Sequence, residues 1–243
     1  LLSFMTRIPM PKTEYDEEKL GKSMKYFPIV GIIVSFILLF FCIIFNFIFK
    51  NLNYSTALPL MILVVILTDL ITTGALHLDG LADTFDGIFS YRSKHKMLEI
   101  MKDSRIGTNG AVVLILYFIT KTTLTSEIIM INPKYLIICP IIARLSTPIN
   151  AGLSNYARKS GMSNSIISEN GIFEAIFSLA LSIILVFYII DIKGIITIFI
   201  AFIFIIIFML NVRKKIDGIT GDTMGACLEL TSILVLFLGI VLR

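Results

Sequence analysis

The residues best suited to chemistry are three aspartates, Asp79, Asp83 and Asp86, which are spaced at i, i+4 and i+7. On an α-helix with about 3.6 residues per turn these positions share one face, and i,i+4 neighbours have Cβ atoms about 5–6 Å apart. Because three carboxylates this close repel one another, the spacing predicts a divalent cation, and all-oxygen ligands favour Mg²⁺, Mn²⁺ or Ca²⁺ over zinc. Gly80 and Gly87 are predicted to leave room for a substrate near the backbone. The alternative is a solvated acidic helix face, which the direct connection to a membrane span disfavours.

Basic residues close to these aspartates predict phosphate chemistry, in which a metal ion bridges carboxylate and phosphate oxygens. Arg92 follows the triplet by six residues, and Lys102 and Arg105 lie in the run 102–107, KDSRIG. Each cation could instead be only a signal of membrane topology, an interpretation that is weaker for Arg105 because it lies in a turn-like run. His77 adjoins the acidic face and is a candidate for proton transfer or phosphate binding, with packing as the alternative.

Charged residues also occur inside apolar segments, where they are costly and therefore functional candidates. These are Asp69, Lys121, Arg144 and Glu229. Asp222 and Glu229 are spaced at i and i+7, so they share a helical face. The sequence GITGD that ends at Asp222 is typical of a loop entering a helix, where backbone N–H groups attract anions. Asp222 could also simply cap that helix.

The positioning elements are predicted to be membrane-spanning helices. Hydrophobic residues make up 56% of the 243-residue chain, charged residues only 16%, and the mean hydropathy is +0.91. This composition excludes an ordinary soluble domain and predicts an all-α, polytopic membrane bundle that forms a single catalytic domain over residues 1–243. Seven spans are predicted, at 27–49, 57–76, 110–131, 135–150, 172–190, 195–211 and 223–242. A short interfacial or re-entrant helix is predicted within 1–10, a cytoplasmic acidic helix or loop within 77–108, and a polar loop over 155–170.

The distribution of positive charge predicts the orientation. Most of the 21 Lys and Arg residues lie in the N-terminal segment and in the loops after spans two, four and six. The positive-inside tendency then places the N-terminus and the aspartates on the cytoplasmic side of the cell (inner) membrane. The net charge of +4 requires no nucleic acid, because cytoplasmic loops facing anionic lipid suffice to explain it. The three cysteines lie far apart in apolar runs and are predicted to be packing residues.

Several blocks resemble one known family. Residues 74–87, GALHLDGLADTFDG, closely resemble the signature of the cobalamin 5′-phosphate synthase family, also called the adenosylcobinamide-GDP ribazoletransferase family. Residues 4–9 (FMTRIP), 99–110 (EIMKDSRIGTNG) and 220–226 (TGDTMGA, with Glu229) resemble further blocks of that family and run in the same order. The YAR sequence that ends at Arg158 is also similar.

The resemblance implies a transferase that takes adenosylcobinamide-GDP and α-ribazole, or α-ribazole 5′-phosphate, and forms adenosylcobalamin, or its 5′-phosphate, and GMP. It implies Mg²⁺ as cofactor, held by Asp79, Asp83 and Asp86, with Asp86, Asp103 or His77 as catalytic residues. The residues implied to bind substrate and its phosphates are Arg7, Arg92, Lys102, Arg105, Arg158, Asp222 and Glu229. The lipid bilayer is a further partner, and the sequence is compatible with a homo-oligomer or with association with other cobalamin-assembly enzymes.

Two other functions remain open from the residues. The spacing Asp83-x-x-Asp86-Gly87 is similar to the start of the CDP-alcohol phosphotransferase motif of lipid synthesis, although Ser90 and Tyr91 stand where that motif has Ala-Arg. A transporter would instead use the charges inside the spans as pathway residues. The position of the three aspartates outside the predicted spans disfavours this second alternative.

Overall fold

Seven long apolar helices dominate the structure, a computed structural model that describes residues 1–11, 16–158, 161 and 163–243, apart from the side chain of residue 165. The helices are α1 Leu2–Met5, α2 Glu17–Ser23, α3 Phe27–Ile48, α4 Tyr54–Thr73, α5 Leu76–Ile88, α6 Lys94–Ile100, α7 Thr108–Ile131, α8 Lys134–Leu153, α9 Ser163–Ser168, α10 Ile172–Ile190, α11 Ile192–Ile216 and α12 Gly221–Val241. A 3₁₀ turn, Met24–Tyr26, joins α2 to α3, and the described residues contain one isolated β-bridge and no strand.

The predicted all-α fold and the predicted number of spans are confirmed. The helices long and apolar enough to cross a membrane are α3 (continuous with α2), α4, α7, α8, α10, α11 and α12. The bounds of α10 are those predicted; the others differ, most at α11, because its basic last turn continues to Ile216. Lys12 and Lys159, which contribute to the predicted charge bias, lie outside the described residues.

The N-terminal segment and the loop after α8 contain short helices. The predicted interfacial helix within 1–10 is a single turn, α1, whose residue Met5 is buried in the protein. The predicted polar loop 155–170 contains the short helix α9. Both segments fold against the end of the bundle that carries the aspartates, since Met5 and Ile166 belong to one buried apolar cluster.

The second predicted span ends earlier than expected, because two consecutive residues adopt left-handed backbone conformations. Gly74 has φ 65° and Ala75 has φ 58°. A glycine adopts this conformation without strain, and the pair breaks the chain sharply between α4 and α5. Residues 77–88 are therefore an α-helix of their own that carries the three aspartates.

Helices α8 and α12 form the centre of the bundle, where most of their side chains are buried by neighbouring helices. Helix α5 packs against α12 and α7 at one end. The α5–α12 contact depends on two glycines: a Cβ on Gly80 would lie 2.7 Å from the Asp222 carbonyl oxygen, and one on Gly225 would lie 3.2 Å from the His77 Cα. Small residues let helix backbones approach this closely, and the contact brings the acidic face of α5 beside the start of α12.

The two glycines of the aspartate segment therefore have a packing role. Besides Gly80, Gly87 packs against helix α6, where an added Cβ would lie 3.0 Å from the Met97 carbonyl oxygen. The prediction that both glycines leave space for a substrate does not hold for Gly87, where atoms of Met97 and Met101 occupy that space, whereas Gly80 also borders a cleft described below. The cysteines Cys42, Cys139 and Cys227 are all free, as predicted.

Candidate active site

The acidic face of α5 lies at the end of the bundle where α7 and α12 begin. Asp79 is exposed, whereas Asp83 and Asp86 are half-buried. Burial, and secondly the negative charges of Asp222, Asp79 and Asp86, raise the pKa of Asp83 to about 7, and Arg158 opposes them. The face therefore carries more negative charge than the protein groups around it compensate.

Asp86 already has two backbone partners. Its carboxylate accepts hydrogen bonds from the Gly107 amide at 2.7 Å and from the Gly110 amide at 2.9 Å. These amides belong to the start of α7, where unpaired N–H groups and the helix dipole favour a negative charge. Asp86 thus caps α7 and fixes it to α5, a role that the aspartate spacing alone does not predict.

Asp222 lies in the first turn of α12 and faces the acidic side of α5. Its Oδ2 accepts a hydrogen bond from Arg158 Nη2 at 2.7 Å and one from the Thr220 hydroxyl at 3.3 Å. The N-cap of α12 is Thr220, whose Oγ1 accepts from the Thr223 amide at 3.2 Å. Asp222 therefore does not cap α12 and instead forms an ion pair with Arg158.

Arg158 is positioned by a short backbone pairing between two loops. The Ala157 amide donates to the Ile219 carbonyl at 2.8 Å, and the Ile219 amide donates to the Asn155 carbonyl at 2.9 Å. This pairing joins the segment after α8 to the segment before α12. It places Arg158 directly beside the first turn of α12, although the two are more than 60 positions apart in the chain.

A cleft of about 940 Å³, here called the central cleft, opens between α5, α12 and the N-terminal segment. Its polar lining includes Asp79, Lys102, Arg158 and Asp222, and its apolar lining includes Phe4, Met5 and Ile166. The structure therefore brings together five of the predicted site residues, these four and His77, from four separate segments of the chain. Opposite charges on one wall suit a ligand that carries phosphate groups and a bound cation.

Asp103 and Arg105 are placed differently, in an exposed loop before α7. Arg105 donates to both carboxylate oxygens of Asp103, from Nε at 3.0 Å and from Nη2 at 2.6 Å. This hydrogen bonding from Arg105 lowers the pKa of Asp103 to about 2. Asp103 is therefore a weak proton acceptor at neutral pH, and the charge of Arg105 is already paired with the Asp103 carboxylate.

Besides Arg105, two further predicted cations, Arg7 and Arg92, lie outside the central cleft lining. The Arg7 side chain packs against the Gly74 turn, and its backbone amide donates to the Thr72 carbonyl at 2.7 Å. This contact fixes the N-terminal segment to the end of α4. Arg92 is exposed in the connection between α5 and α6.

Glu229 belongs to a second polar cluster, deeper within the helices. Asp69 Oδ2 lies 2.6 Å from Lys121 Nζ, and Lys121 Nζ donates to the Tyr117 hydroxyl at 2.7 Å. The Tyr117 hydroxyl in turn donates to the Glu229 carboxylate. The structure therefore separates Glu229 from Asp222, because seven residues along a helix correspond to about 10 Å.

Arg144 and His77 border the same inner cavity as this cluster. Arg144 is 2% exposed and donates from Nη1 to the Pro140 carbonyl at 3.2 Å, while its Nε and Nη2 have no partner within the described residues. His77 also borders the central cleft. Burial, and secondly the charge of Arg144, lowers the pKa of His77 to about 3, so the imidazole is neutral at physiological pH. His77 is thus a buried residue between the two polar regions.

The donor set of the α5 face fits a divalent cation in chemistry and in charge. The ligands are oxygens, and the charges of Asp222, Asp79 and Asp86 add to burial in raising the pKa of Asp83. Within the part of the chain that the structure describes, no three His, Cys, Asp or Glu side chains are already arranged as a metal site. Asp86 is engaged with the α7 amides and Asp222 with Arg158, so Asp79 and Asp83 are the freer carboxylates.

Sequence reasoning missed two residues of these clusters. Tyr117 joins Lys121 to Glu229, and the only sequence signal was its spacing of i,i+4 from the in-span lysine. Thr220 caps α12, and its position before an apolar helix with a threonine three residues later was an available signal.

The fold and the site together define a multi-pass membrane protein with a carboxylate and cation cleft at one end of its helix bundle. The family model for cobalamin-5-phosphate synthase matches residues 1–240. The chain is 54% identical to an adenosylcobinamide-GDP ribazoletransferase of Fusobacterium nucleatum subsp. nucleatum, over 100% of this chain and 96% of the relative.

Two further relatives carry the same name. The chain is 36% identical to that of Clostridium novyi (strain NT), over 96% of this chain and 92% of the relative. It is 35% identical to that of Clostridioides difficile (strain 630), over 97% and 93%. No solved structure matches the chain. The chain belongs to the cobalamin-5-phosphate synthase family of membrane transferases, which confirms the resemblance seen in its sequence blocks.

Proposed function

We propose that the chain joins adenosylcobinamide-GDP to α-ribazole, or to α-ribazole 5′-phosphate, and releases GMP in the final assembly of cobalamin. One observation carries the proposal: the charged central cleft is assembled from the sequence blocks of the family, in a chain 54% identical to a transferase of that name along its whole length. The cleft offers both cations for phosphate groups and carboxylates for a metal ion or a proton.

The reaction is a displacement at phosphorus. A ribose hydroxyl of α-ribazole attacks the phosphorus that is attached to cobinamide, a new P–O bond forms, and the bond to the GMP phosphate breaks. The hydroxyl proton passes to a carboxylate, and GMP leaves with the electron pair of the broken bond. The protein must therefore bind two phosphates, orient one hydroxyl and accept one proton.

The basic residues of the central cleft are proposed to bind the diphosphate. Lys102 is exposed and free to turn toward a ligand, whereas Arg158 is held by Asp222 at 2.7 Å. A guanidinium held in this way is preorganised to donate to phosphate oxygens. Arg92, Arg105 and Arg7 remain candidates for contacts with the larger parts of the donor.

Mg²⁺ is the proposed cofactor, held by Asp79 and Asp83 with Asp222 or Asp86 as further oxygen ligands. A bound Mg²⁺ would neutralise phosphate charge and stabilise the negative charge that develops on the transferred phosphoryl group. The proposal is supported by the half-buried carboxylate of Asp83, whose pKa is raised to about 7 by burial and then by the neighbouring carboxylates. The proton acceptor remains one of the α5 carboxylates, because Asp103 is paired with Arg105.

The site is proposed to face the cytoplasm from the cell (inner) membrane, as the distribution of basic residues predicts. Helices α4 and α8 end, and α7 and α12 begin, at the end of the bundle that carries the site. The chain would then form one catalytic domain with its C-terminus on the opposite side. A reporter enzyme fused after Arg243 should lie outside the cytoplasm. Reporter activity in the cytoplasm would contradict this orientation.

The test of the function is GMP release from the two proposed substrates by the purified protein in detergent or liposomes. We expect release that depends on both substrates and on Mg²⁺, and a loss of about 10²-fold or more on Asp83→Asn. The matched control is Asp191→Asn, which removes a carboxylate between α10 and α11. Wild-type turnover by Asp83→Asn at saturating Mg²⁺ would contradict the metal assignment. Release of CMP from a CDP-alcohol instead of GMP would favour the lipid phosphotransferase.

A further inference from the structure

Two clefts open on either side of the acidic face of α5, and Asp79 borders both. One is the central cleft. The other, here called the lateral cleft, has a volume of about 710 Å³ and lies between α5, the end of α4 and the start of α7. Its walls include Asp79, Asp83, Ile106, Leu114 and Phe118. A reaction that joins two large substrates at one carboxylate cluster requires two such approaches.

The central cleft continues into a wider groove. This outer groove, of about 1200 Å³, lies between α6 and the segment after α8 and shares Lys102 and Arg158 with the central cleft. Lys94, which pairs with Asp217 at 2.8 Å, lies further along it with His95 and the carboxylate Glu99. The central cleft and outer groove together form one long path that leads outward from Asp79 and carries basic residues along its length.

The lateral cleft has the opposite character. No lysine or arginine is found among its described lining residues, and the side chains other than Asp79, Asp83 and Ser104 are apolar. A diphosphate would find no basic side chain among these described residues, and its contact with Asp79 and Asp83 would depend entirely on a bound cation. A planar apolar ring system with a few hydroxyl groups suits this lining, because apolar walls bind the ring and the polar edge orients the hydroxyls.

On the basis of the proposed function, we infer that the two substrates bind in separate clefts. The lateral cleft binds the nucleoside α-ribazole, with its aromatic base against Leu114 and Phe118. The central cleft and outer groove bind the diphosphate and the guanosine end of adenosylcobinamide-GDP. The acceptor hydroxyl and the phosphorus then meet at Asp79, and GMP departs along the outer groove, away from the entering hydroxyl, as an in-line displacement requires.

The first test removes apolar contacts from the lateral cleft. In Leu114→Ala and Phe118→Ala, we expect KM for α-ribazole to rise about tenfold or more. The KM for adenosylcobinamide-GDP, and kcat at saturation, should stay within about twofold of wild type, since only acceptor binding is weakened. The matched control is Leu116→Ala on the same helix, because Leu116 is 57% exposed and does not border the cleft.

The second test removes a cation from the outer groove. Lys94→Ala should raise KM for adenosylcobinamide-GDP about threefold to tenfold and leave KM for α-ribazole unchanged, because a charge-assisted contact to phosphate is lost. The matched control is Lys19→Ala. Lys19 pairs with Asp16 at 2.9 Å, much as Lys94 pairs with Asp217 at 2.8 Å, and it does not border the groove.

The outcomes separate this inference from the proposed function. Unchanged KM values for α-ribazole in both lateral-cleft variants, with normal wild-type GMP release, would overturn the inference and leave the function standing. A rise in KM for the donor instead of the acceptor in those variants would reverse the assignment and also overturn it. Absence of GMP release from the wild-type protein would overturn the proposed function, and with it the assignment of substrates to the clefts.

Discussion

The contact between Gly80 and the start of α12 gives the most specific prediction. In Gly80→Ala the new Cβ would lie 2.7 Å from the Asp222 carbonyl oxygen and 3.0 Å from its Cα. An ordinary contact begins at 3.4 Å, so the two backbones must separate by about 0.7 Å. Both atoms belong to helix backbone, which cannot turn aside as a side chain would. The shift moves Asp79 and Asp83 away from Asp222 and Arg158, and a misplacement of about 1 Å can cost about 10²-fold in rate.

The control for this variant is an equal clash far from the site. In Gly31→Ala the new Cβ would lie 2.6 Å from the Pro140 carbonyl oxygen, between α3 and α8. Overpacking of either contact should lower the free energy of unfolding by about 1–3 kcal/mol. Thermal unfolding in detergent and steady-state GMP release should therefore show similar destabilisation in both variants, but a fall in kcat only for Gly80→Ala. Equal kcat values in the two variants, with both folded, would refute the argument that the α5–α12 separation sets the geometry of the site.

Three further predictions concern the charges. Lys121→Met leaves Asp69 and Glu229 buried without their cation and should cost about 3–5 kcal/mol in unfolding free energy, part of which Asp69→Asn in the same chain should restore. Asp86→Ala removes the carboxylate that caps α7 and should cost about 0.5–2 kcal/mol, measured by thermal unfolding. When a chelator keeps the protein free of metal ions, the pKa of Asp83 is raised to about 7 in the folded state. Ionisation of Asp83 therefore lowers the free energy of unfolding as the pH rises toward about 7. We therefore expect Asp83→Asn to unfold at a higher temperature than wild type without metal, with a gain that grows from pH 5 to about 7 and then levels off, as thermal scans from pH 5 to 8 would check; equal unfolding temperatures at pH 8 would contradict this.

The membrane fold was predictable because its physical signal is strong. A helix that crosses a bilayer needs about 20 apolar residues, and the described residues contain seven helices that are long and apolar enough. The in-span charges Lys121 and Arg144 did not break helices α7 and α8, because both side chains are buried inside the bundle. The exact ends were less predictable. Gly74 and Ala75 end α4 through a left-handed turn, and only the glycine carries a sequence signal for that conformation.

The features of the site that depend on a single helix were predictable, whereas the contacts between helices were not. The spacing of the aspartates on α5 correctly predicts a shared face, because periodicity depends only on the local helix. Periodicity does not say which neighbour lies beside that face, or how deep in the bundle a residue lies. Asp222 and Glu229 share a face of α12, yet Asp222 contacts Arg158 and Glu229 contacts Tyr117. Those partners are fixed by packing between distant segments.

The three aspartates also show that a shared face does not give equivalent roles. The start of α7 brings two amides to Asp86. Burial beside α12, together with the nearby carboxylates, raises the pKa of Asp83 to about 7. Asp79 remains exposed between two clefts of different charge. Repulsion among carboxylates on one helix favours a cation but leaves its position undetermined. Because α7 occupies Asp86 and α12 contributes Asp222, the negative charge that lacks a partner lies toward Asp79 and Asp83, which is where a metal-bound diphosphate and an acceptor hydroxyl would have to meet.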